Sequence, residues 1–134
     1  MSYITTYTGK LFDPLIATAD EVDIADIAHA LHLLCRANGH FPHFYSVAQH
    51  SINCAKEAVA RRYSKRIQLG CLLHDASEAY MSDVTRPLKK LLPDYLKAED
   101  RLQNIIWNKW ITPELTKEEK KQIFEIDDAI FYYE

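Results

Sequence analysis

The chain has 134 residues, a length that suits one folded domain better than two. Its net charge of −3 argues against a general nucleic-acid binder, because such proteins usually carry a surplus of basic residues. No apolar run approaches the roughly 20 residues needed to span a bilayer, and the three cysteines form no Cys-x-x-Cys pair typical of a structural zinc site. We therefore expect a cytoplasmic, single-domain protein, residues 1–134, with no nucleic-acid or membrane partner.

The first 19 residues show no helical period and are expected to form an irregular N-terminal arm. Their apolar residues fit either a short strand pair or a segment draped over the helices. The first helix is predicted to begin after Asp23, a good N-cap, and to end at the stop signal Asn38-Gly39. A short loop then leads to the next helix.

Later helices are predicted from apolar residues at helical spacing. They cover residues 46–60, residues 64–80, residues 93–110 and a last segment that opens with a capping box from Thr116 to Glu119. The helical pattern is still running at Glu134, which suggests that the last helix is truncated. The sequence predicts an all-α bundle of five to six helices.

Four polar residues stand out because they interrupt apolar helix faces. They are His50, His74, Asp75 and Asp127. A buried carboxylate without a partner is energetically costly, so such residues are normally paired or bound to a metal. Two imidazoles and two carboxylates form a mixed nitrogen and oxygen set that suits one divalent ion of Mn, Fe, Co, Ni, Zn or Mg. The pattern therefore predicts a central metal site whose ion it does not identify.

The adjacency of His74 and Asp75 restricts where this ion can lie. Neighbouring residues on a regular helix point about 100° apart, so both reach one ion only if it lies in a groove between helices. His50 and Asp127 would then close the site from two other helices. Each residue also has an ordinary explanation. His50 fits a hydrogen-bonded core histidine, and Asp127 fits a helix acid paired with Lys120 or the lysine after it.

Three motifs make the chain resemble a known family. They read FYSVAQHS at residues 44–51, LHDASEAY at residues 73–80 and DVTRPLK at residues 83–89. Together they resemble the HD-domain phosphohydrolases, and within these the bacterial and phage-type branch related to the YfbR-like 5′-nucleotidases. The likeness runs from YTGK at residues 7–10 to the end of the chain. It implies an HD-type bundle, phosphohydrolase activity and four metal ligands, which are His50, His74, Asp75 and Asp127.

The resemblance also implies roles for residues around the metal. Glu78, one helical turn beyond His74, and Asp83 match the catalytic and water-orienting acids of the nucleotidases. Glu78 alone also fits a solvated helix carboxylate. Arg36, expected at the end of the first helix, matches an arginine that contacts substrate phosphate, and the loop residue His43 is kept as a further substrate contact.

Two adjacent acids compete for the last ligand position. Asp127 and Asp128 both lie on the predicted last helix. We prefer Asp127, because related chains place a Glu seven positions after the ligand, as Glu134 is here.

These observations predict a metal-dependent phosphohydrolase that releases phosphate from nucleoside 5′-monophosphates or a similar small phosphomonoester. One alternative is a hydrolase of another phosphorylated substrate, such as a cyclic nucleotide or an alarmone. Another is a sensor or partner module that binds a metal and a nucleotide without turnover. Glu78 together with Asp83 favours the monophosphate, because both match the nucleotidase pattern. Since related domains often pair, a homodimer is a further hypothesis.

Overall fold

Helices dominate the computed structural model, which describes residues 2–134. They are α1 (Ile24–Leu33), α2 (Val47–Ala60), α3 (Lys65–Leu72), α4 (Glu78–Met81), α5 (Arg86–Lys89), α6 (Pro93–Trp110) and α7 (Lys117–Tyr133). The predicted all-α class is confirmed. Within the described residues the helices number seven rather than five to six, because the predicted third helix is divided and a short α5 follows it.

The N-terminal arm contains a small hairpin rather than being irregular throughout. Strands β1 (Ile4–Thr5) and β2 (Leu11–Phe12) are antiparallel, with Ile4 opposite Phe12. Gly9 adopts a φ of 90° in the connecting turn, a left-handed conformation that glycine reaches without a steric penalty. Met1, which the predicted arm included, lies outside the described residues.

Side-chain caps begin the helices at the positions that the sequence predicted. Asp23 accepts a hydrogen bond from the N–H of the second residue of α1, and Ser46 and Ser64 accept one from the third residue of α2 and of α3. At α7 the hydroxyl of Thr116 accepts the N–H of Glu119 at 3.1 Å, while Glu119 accepts the N–H of Thr116 at 2.9 Å. Caps of this kind satisfy N–H groups that have no partner within the helix.

The end of α1 differs from the prediction, and this changes the setting of Arg36. The helix ends at Leu33, five residues before Asn38. The backbone then runs extended, and the N–H of Arg36 donates to the carbonyl of Tyr45 at 2.8 Å. Asn38 and Gly39 do take positive φ angles, but they lie in a separate 3-10 turn. Arg36 is therefore fixed by pairing with the segment before α2 and not by α1.

A glycine allows α3 and α7 to approach each other closely. A Cβ atom on Gly70 would lie 2.5 Å from Cδ1 of Ile123, which is fully buried. The carbonyl of Gly70 also accepts the indole N–H of Trp107 at 3.1 Å. Asp127 lies one turn beyond Ile123 on α7, so the same close approach brings its carboxylate toward the end of α3.

The long helix α6 has the predicted bounds and fastens the N-terminal arm to the bundle. Arg101 donates to the carbonyl of Ala17 at 2.9 Å, and Lys109 donates to the carbonyl of Ala19 at 2.7 Å. Among residues 2–134, no helix has both the length and the apolar character needed to cross a membrane.

Candidate metal centre and its cavity

The chain leaves helical geometry where His74 and Asp75 occur. The predicted helix over residues 64–80 is wrong here, because α3 ends at Leu72 and residues 73–77 form turns before α4. On a regular helix the two side chains would point about 100° apart. In the turn they face the same point, and Nε2 of His74 lies 3.2 Å from Oδ2 of Asp75.

This turn is held in place by Gln103 of α6, which sequence reasoning missed. Its amide NH₂ donates to the carbonyl of Leu73 at 2.7 Å, and its carbonyl accepts the N–H of Ser77 at 3.1 Å. Gln103 is buried, so both bonds lie away from water. The available signal was a glutamine beside Leu102 on the apolar face of a helix, where a polar side chain needs partners.

Replacing Gln103 with Met is expected to lower the free energy of unfolding by about 2 kcal/mol or more, because two buried backbone groups lose their partners. We also expect weaker metal binding, since the turn carries His74 and Asp75. Urea unfolding and metal titration measure the two effects. Gln122→Met is the control, because the Gln122 amide makes no hydrogen bond within the described residues. Equal stability of the two variants would contradict this role for Gln103.

Two imidazoles and two carboxylates converge between α2, the turn and α7. Nε2 of His50 lies 2.8 Å from Oδ1 of Asp127, and Nε2 of His74 lies 3.2 Å from the same oxygen. Oδ2 of Asp75 lies 3.8 Å from Nε2 of His50. Both histidine side chains are almost fully buried. The four residues singled out in the sequence therefore form one cluster.

Cys54 is a further member of this cluster. Its Sγ lies 3.6 Å from Nε2 of His50, and one donor atom each from His50, Cys54, His74 and Asp127 lie within 4.8 Å of one another. Burial, reinforced by the negative charge of Asp127, raises the pKa of the Cys54 thiol far above its usual range. The described residues thus include a buried group with the geometry and donor types to hold a metal ion.

The outer nitrogen of each histidine has a hydrogen-bond acceptor. Nδ1 of His74 lies 2.6 Å from the carbonyl of Cys71, and Nδ1 of His50 lies 3.0 Å from a carboxylate oxygen of Glu134. Each Nδ1 is therefore assigned a proton, so each ring would offer its Nε2 lone pair to an ion at the centre of the cluster. Metal-binding histidines are held in this way.

Charge in the cluster also favours a cation at its centre. Burial alone would lower the pKa of His74, but the carboxylates of Asp75 and Asp127 raise it well above its usual value. Burial likewise opposes ionisation of Asp127, yet its hydrogen bonds to His50 and His74 hold the pKa of Asp127 far below the usual range. The two carboxylates therefore need positive charge beside them, which a proton on the His74 ring supplies without an ion and which a divalent ion would supply in its place. The residues present therefore fit a metal.

The two acids at the end of α7 face different surroundings. Asp127 points at the histidines, so its predicted alternative as a partner of a preceding lysine is wrong; Lys120 instead donates to Asn104 at 3.0 Å. Asp128 is 64% exposed and pairs with Arg86 at 2.9 Å. Of the two candidates, Asp127 is the one that reaches the cluster.

A cavity of about 240 Å³ opens beside the cluster. It is bounded by four carboxylates and three cations, which are Asp75, Glu78, Asp83, Asp127, Arg36, Arg86 and Lys89. The predicted residues Arg36, Glu78 and Asp83 therefore meet in one space. A second cavity of about 500 Å³ reaches the cluster at His74 and shares Arg86 and Lys89 with the first.

Glu78 is a buried acid inside this cavity. It is 5% exposed, and its Oε2 has no hydrogen-bond partner within the described residues. Burial raises the pKa of Glu78 well above its usual value, and the negative charges of Asp75 and Asp83 add to this effect. Glu78 is therefore not the solvated helix carboxylate that its sequence position alone also allowed.

Arg36 reaches the cavity, whereas His43 does not line it. Nη1 of Arg36 lies 3.6 Å from Oδ2 of Asp75, and its Nε is buried without a partner within the described residues. Arg36 lines the cavity, and an arginine at a cavity wall is suited to bind an anion. His43 lines a separate aromatic pocket with Phe41 and Tyr45.

Two curated proteins are similar to this chain. The uncharacterized protein YfdR of Escherichia coli (strain K12) is 42% identical over 113 residues, which cover 84% of this chain and 61% of YfdR. The uncharacterized protein RCAP_rcc00048 of Rhodobacter capsulatus is 31% identical over 129 residues, which cover 92% of this chain and 65% of that protein. The chain thus spans less than two thirds of either relative. No family model matches it.

Proposed function

We propose that this chain is a metal-dependent phosphohydrolase of the HD type, acting on a small phosphomonoester, namely a nucleoside 5′-monophosphate. One observation carries the proposal. The cavity of about 240 Å³ brings a cluster fit for a metal, a buried carboxylic acid and an arginine with an unused donor into one space. These are the groups that phosphate-ester hydrolysis requires.

Binding of the phosphate rests on the cationic side of the cavity. Arg36 lines that side of the cavity, and guanidinium groups hold phosphate oxygens through paired hydrogen bonds. Arg86 and Lys89 line the same space. Arg86 pairs with Asp128 at 2.9 Å and Lys89 with Glu99 at 3.1 Å, so both cations would share their charge between these acids and a bound phosphate.

A divalent ion held by His50, His74, Asp75 and Asp127 would supply Lewis-acid charge to the phosphoryl oxygens and lower the pKa of a water molecule. The chain's own residues orient the substrate and move protons. Arg36 fixes the phosphate at the cavity wall. The metal cluster lies beside this cavity, and Glu78 lines it.

Glu78 and Asp83 serve as the acid–base pair. Water attacks the phosphorus, the ester P–O bond breaks, and the leaving alkoxide takes the proton of the Glu78 carboxyl group. Asp83 takes the proton that water loses and returns it to Glu78, its neighbour in the cavity. A buried acid with a raised pKa is a suitable proton donor near neutral pH.

The test is phosphate release from a panel of ribo- and deoxyribonucleoside 5′-monophosphates. The protein is stripped with a chelator and reloaded with Mn, Co, Mg or Zn in separate reactions. We expect metal-restored release from at least one monophosphate, with chelated protein inactive. Cyclic nucleotides and alarmones in the same panel test the other substrate classes. Stoichiometric metal binding without release from any substrate would overturn the proposal in favour of a sensing module.

A further inference from the structure

Glu134 lies between two groups that the proposed function uses in different ways. Its carboxylate accepts a hydrogen bond from Nη2 of Arg36 at 3.0 Å and lies 3.0 Å from Nδ1 of His50. The Glu134 side chain is 5% exposed, the Arg36 side chain is 11% exposed, and His50 is fully buried. One buried carboxylate thus contacts both a metal-cluster histidine and the anion-binding arginine.

The contact with His50 acts on the metal end of the site. A carboxylate that accepts the Nδ1 proton fixes the tautomer and the ring orientation, and makes Nε2 a stronger donor to a metal. The Nε2 atom it directs lies 2.8 Å from Asp127 and 3.6 Å from Cys54. His74 provides a contrast within the molecule, because its Nδ1 is bound by the backbone carbonyl of Cys71.

The contact with Arg36 acts on the anion end. Charge-assisted hydrogen bonds to a carboxylate hold a guanidinium in one orientation. With Nη2 taken by Glu134, Nη1 lies 3.6 Å from Oδ2 of Asp75, which lines the cavity together with Arg36. The orientation of Arg36 toward a phosphate therefore depends on Glu134.

Glu134 and Tyr45, which precedes α2, line one pocket. The hydroxyl of Tyr45 accepts a hydrogen bond from Nδ2 of Asn53 at 2.8 Å. Burial raises the pKa of Tyr45, and the nearby charge of Glu134 raises it further. The carbonyl of Tyr45 accepts the N–H of Arg36. Arg36, one partner of Glu134, is therefore also bonded to Tyr45, the residue that lies beside Glu134 in this pocket.

We infer that Glu134 is a positioning residue that couples the two ends of the site, because one carboxylate orients both the metal-cluster ring of His50 and the guanidinium of Arg36. The Arg36 half of this inference rests on the proposed function. The His50 half requires only that the cluster binds a metal.

Metal binding and NMR of the Zn²⁺-loaded protein test the His50 half. In Glu134→Gln we expect the affinity for Zn²⁺ to fall by about 10- to 100-fold, the range for loss of a partner behind a histidine ligand. In ¹⁵N-histidine-labelled protein the Nδ1–H signal of His50 should move, while that of His74 should not. Glu125→Gln, an exposed change on the same helix, should leave all three readings unchanged.

The unaltered protein also tests the inference without any variant. A His50 that carries its proton on Nε2 in the Zn²⁺-loaded state would overturn the inference, and so would an unchanged Zn²⁺ affinity in Glu134→Gln. A merely structural role would move the His50 and His74 signals alike. These measurements need no catalytic turnover, so they test the inference whether or not the protein is a phosphohydrolase.

Inorganic phosphate binding at saturating Zn²⁺ tests the Arg36 half. In Glu134→Gln we expect the dissociation constant for phosphate to rise by about tenfold. The reason is that Arg36 loses the charge-assisted hydrogen bond that orients its guanidinium. In an Arg36→Ala background the same substitution should add no further loss. Losses that add in the double variant would overturn the coupling. Phosphate that binds no form of the protein would overturn the Arg36 half and the proposed function, while leaving the His50 half in force.

Discussion

Replacing His74 with Ala is expected to abolish both metal retention and metal-dependent turnover. Nε2 of His74 lies 3.2 Å from the carboxylates of both Asp75 and Asp127, so its loss removes a central donor. It also leaves two partly buried carboxylates with less compensating charge, which weakens the site further. Removing a metal-binding residue should lower the metal affinity by more than the roughly 10- to 100-fold caused by removing a residue that hydrogen-bonds to such a ligand.

Metal content after purification and phosphate release after reloading measure this prediction. His29→Ala is the matched control, because His29 is stacked on Tyr7 with ring centroids 3.7 Å apart and is not part of the cluster. The control should keep its metal and its activity. A His74→Ala protein that retained full metal content and turnover would contradict the assignment of the cluster.

Replacing Glu78 with Gln is expected to lower kcat by about 10²- to 10⁴-fold while metal content is kept, because the variant loses the proton donor but no cluster atom. The loss should be smaller for an aryl phosphate, whose leaving group needs no proton. Glu57→Gln, a partly exposed helix change, is the control. Equal losses for alkyl and aryl esters would contradict the role of Glu78 as a general acid.

The pH dependence follows from the raised pKa of Glu78, whose main cause is burial. The acid form is the active form, so activity should fall as pH rises through that pKa, and Glu78→Gln should lose this limb. The unfolded chain ionises near the usual glutamate pKa of about 4.3. Above that pKa, ionisation of Glu78 favours the unfolded chain, so chelated Glu78→Gln should unfold at a higher denaturant concentration than the unaltered protein at neutral pH. The difference should vanish when the pH falls below the glutamate pKa of the unfolded chain.

Helix starts could be predicted from the sequence because the caps are local. Asp23, Ser46 and Thr116 each bond to an N–H two or three residues away, so a short stretch of sequence contains both partners. The break after Leu72 could not be predicted, because helical spacing continues through it. The residue that stabilises the turn, Gln103, lies on another helix.

Part of the candidate site could likewise be predicted from the sequence. Polar residues on apolar faces identified His50, His74 and Asp127, since such positions need a partner. Cys54 gave no such signal, because a cysteine on an apolar face is ordinary core. Glu134 was noted only for its spacing from Asp127. Its contact with Arg36 depends on a segment 98 positions earlier that runs extended instead of helical.

The hydrogen-bond acceptors behind His50 and His74 differ in whether a mutation can remove them. The ring of His74 is bound by the backbone carbonyl of Cys71, which persists whatever side chain occupies position 71. The ring of His50 is bound by the side chain of Glu134, which one codon change removes. Variation at position 134 can therefore retune one half of the site during evolution, while the half fixed by the main chain is inherited intact.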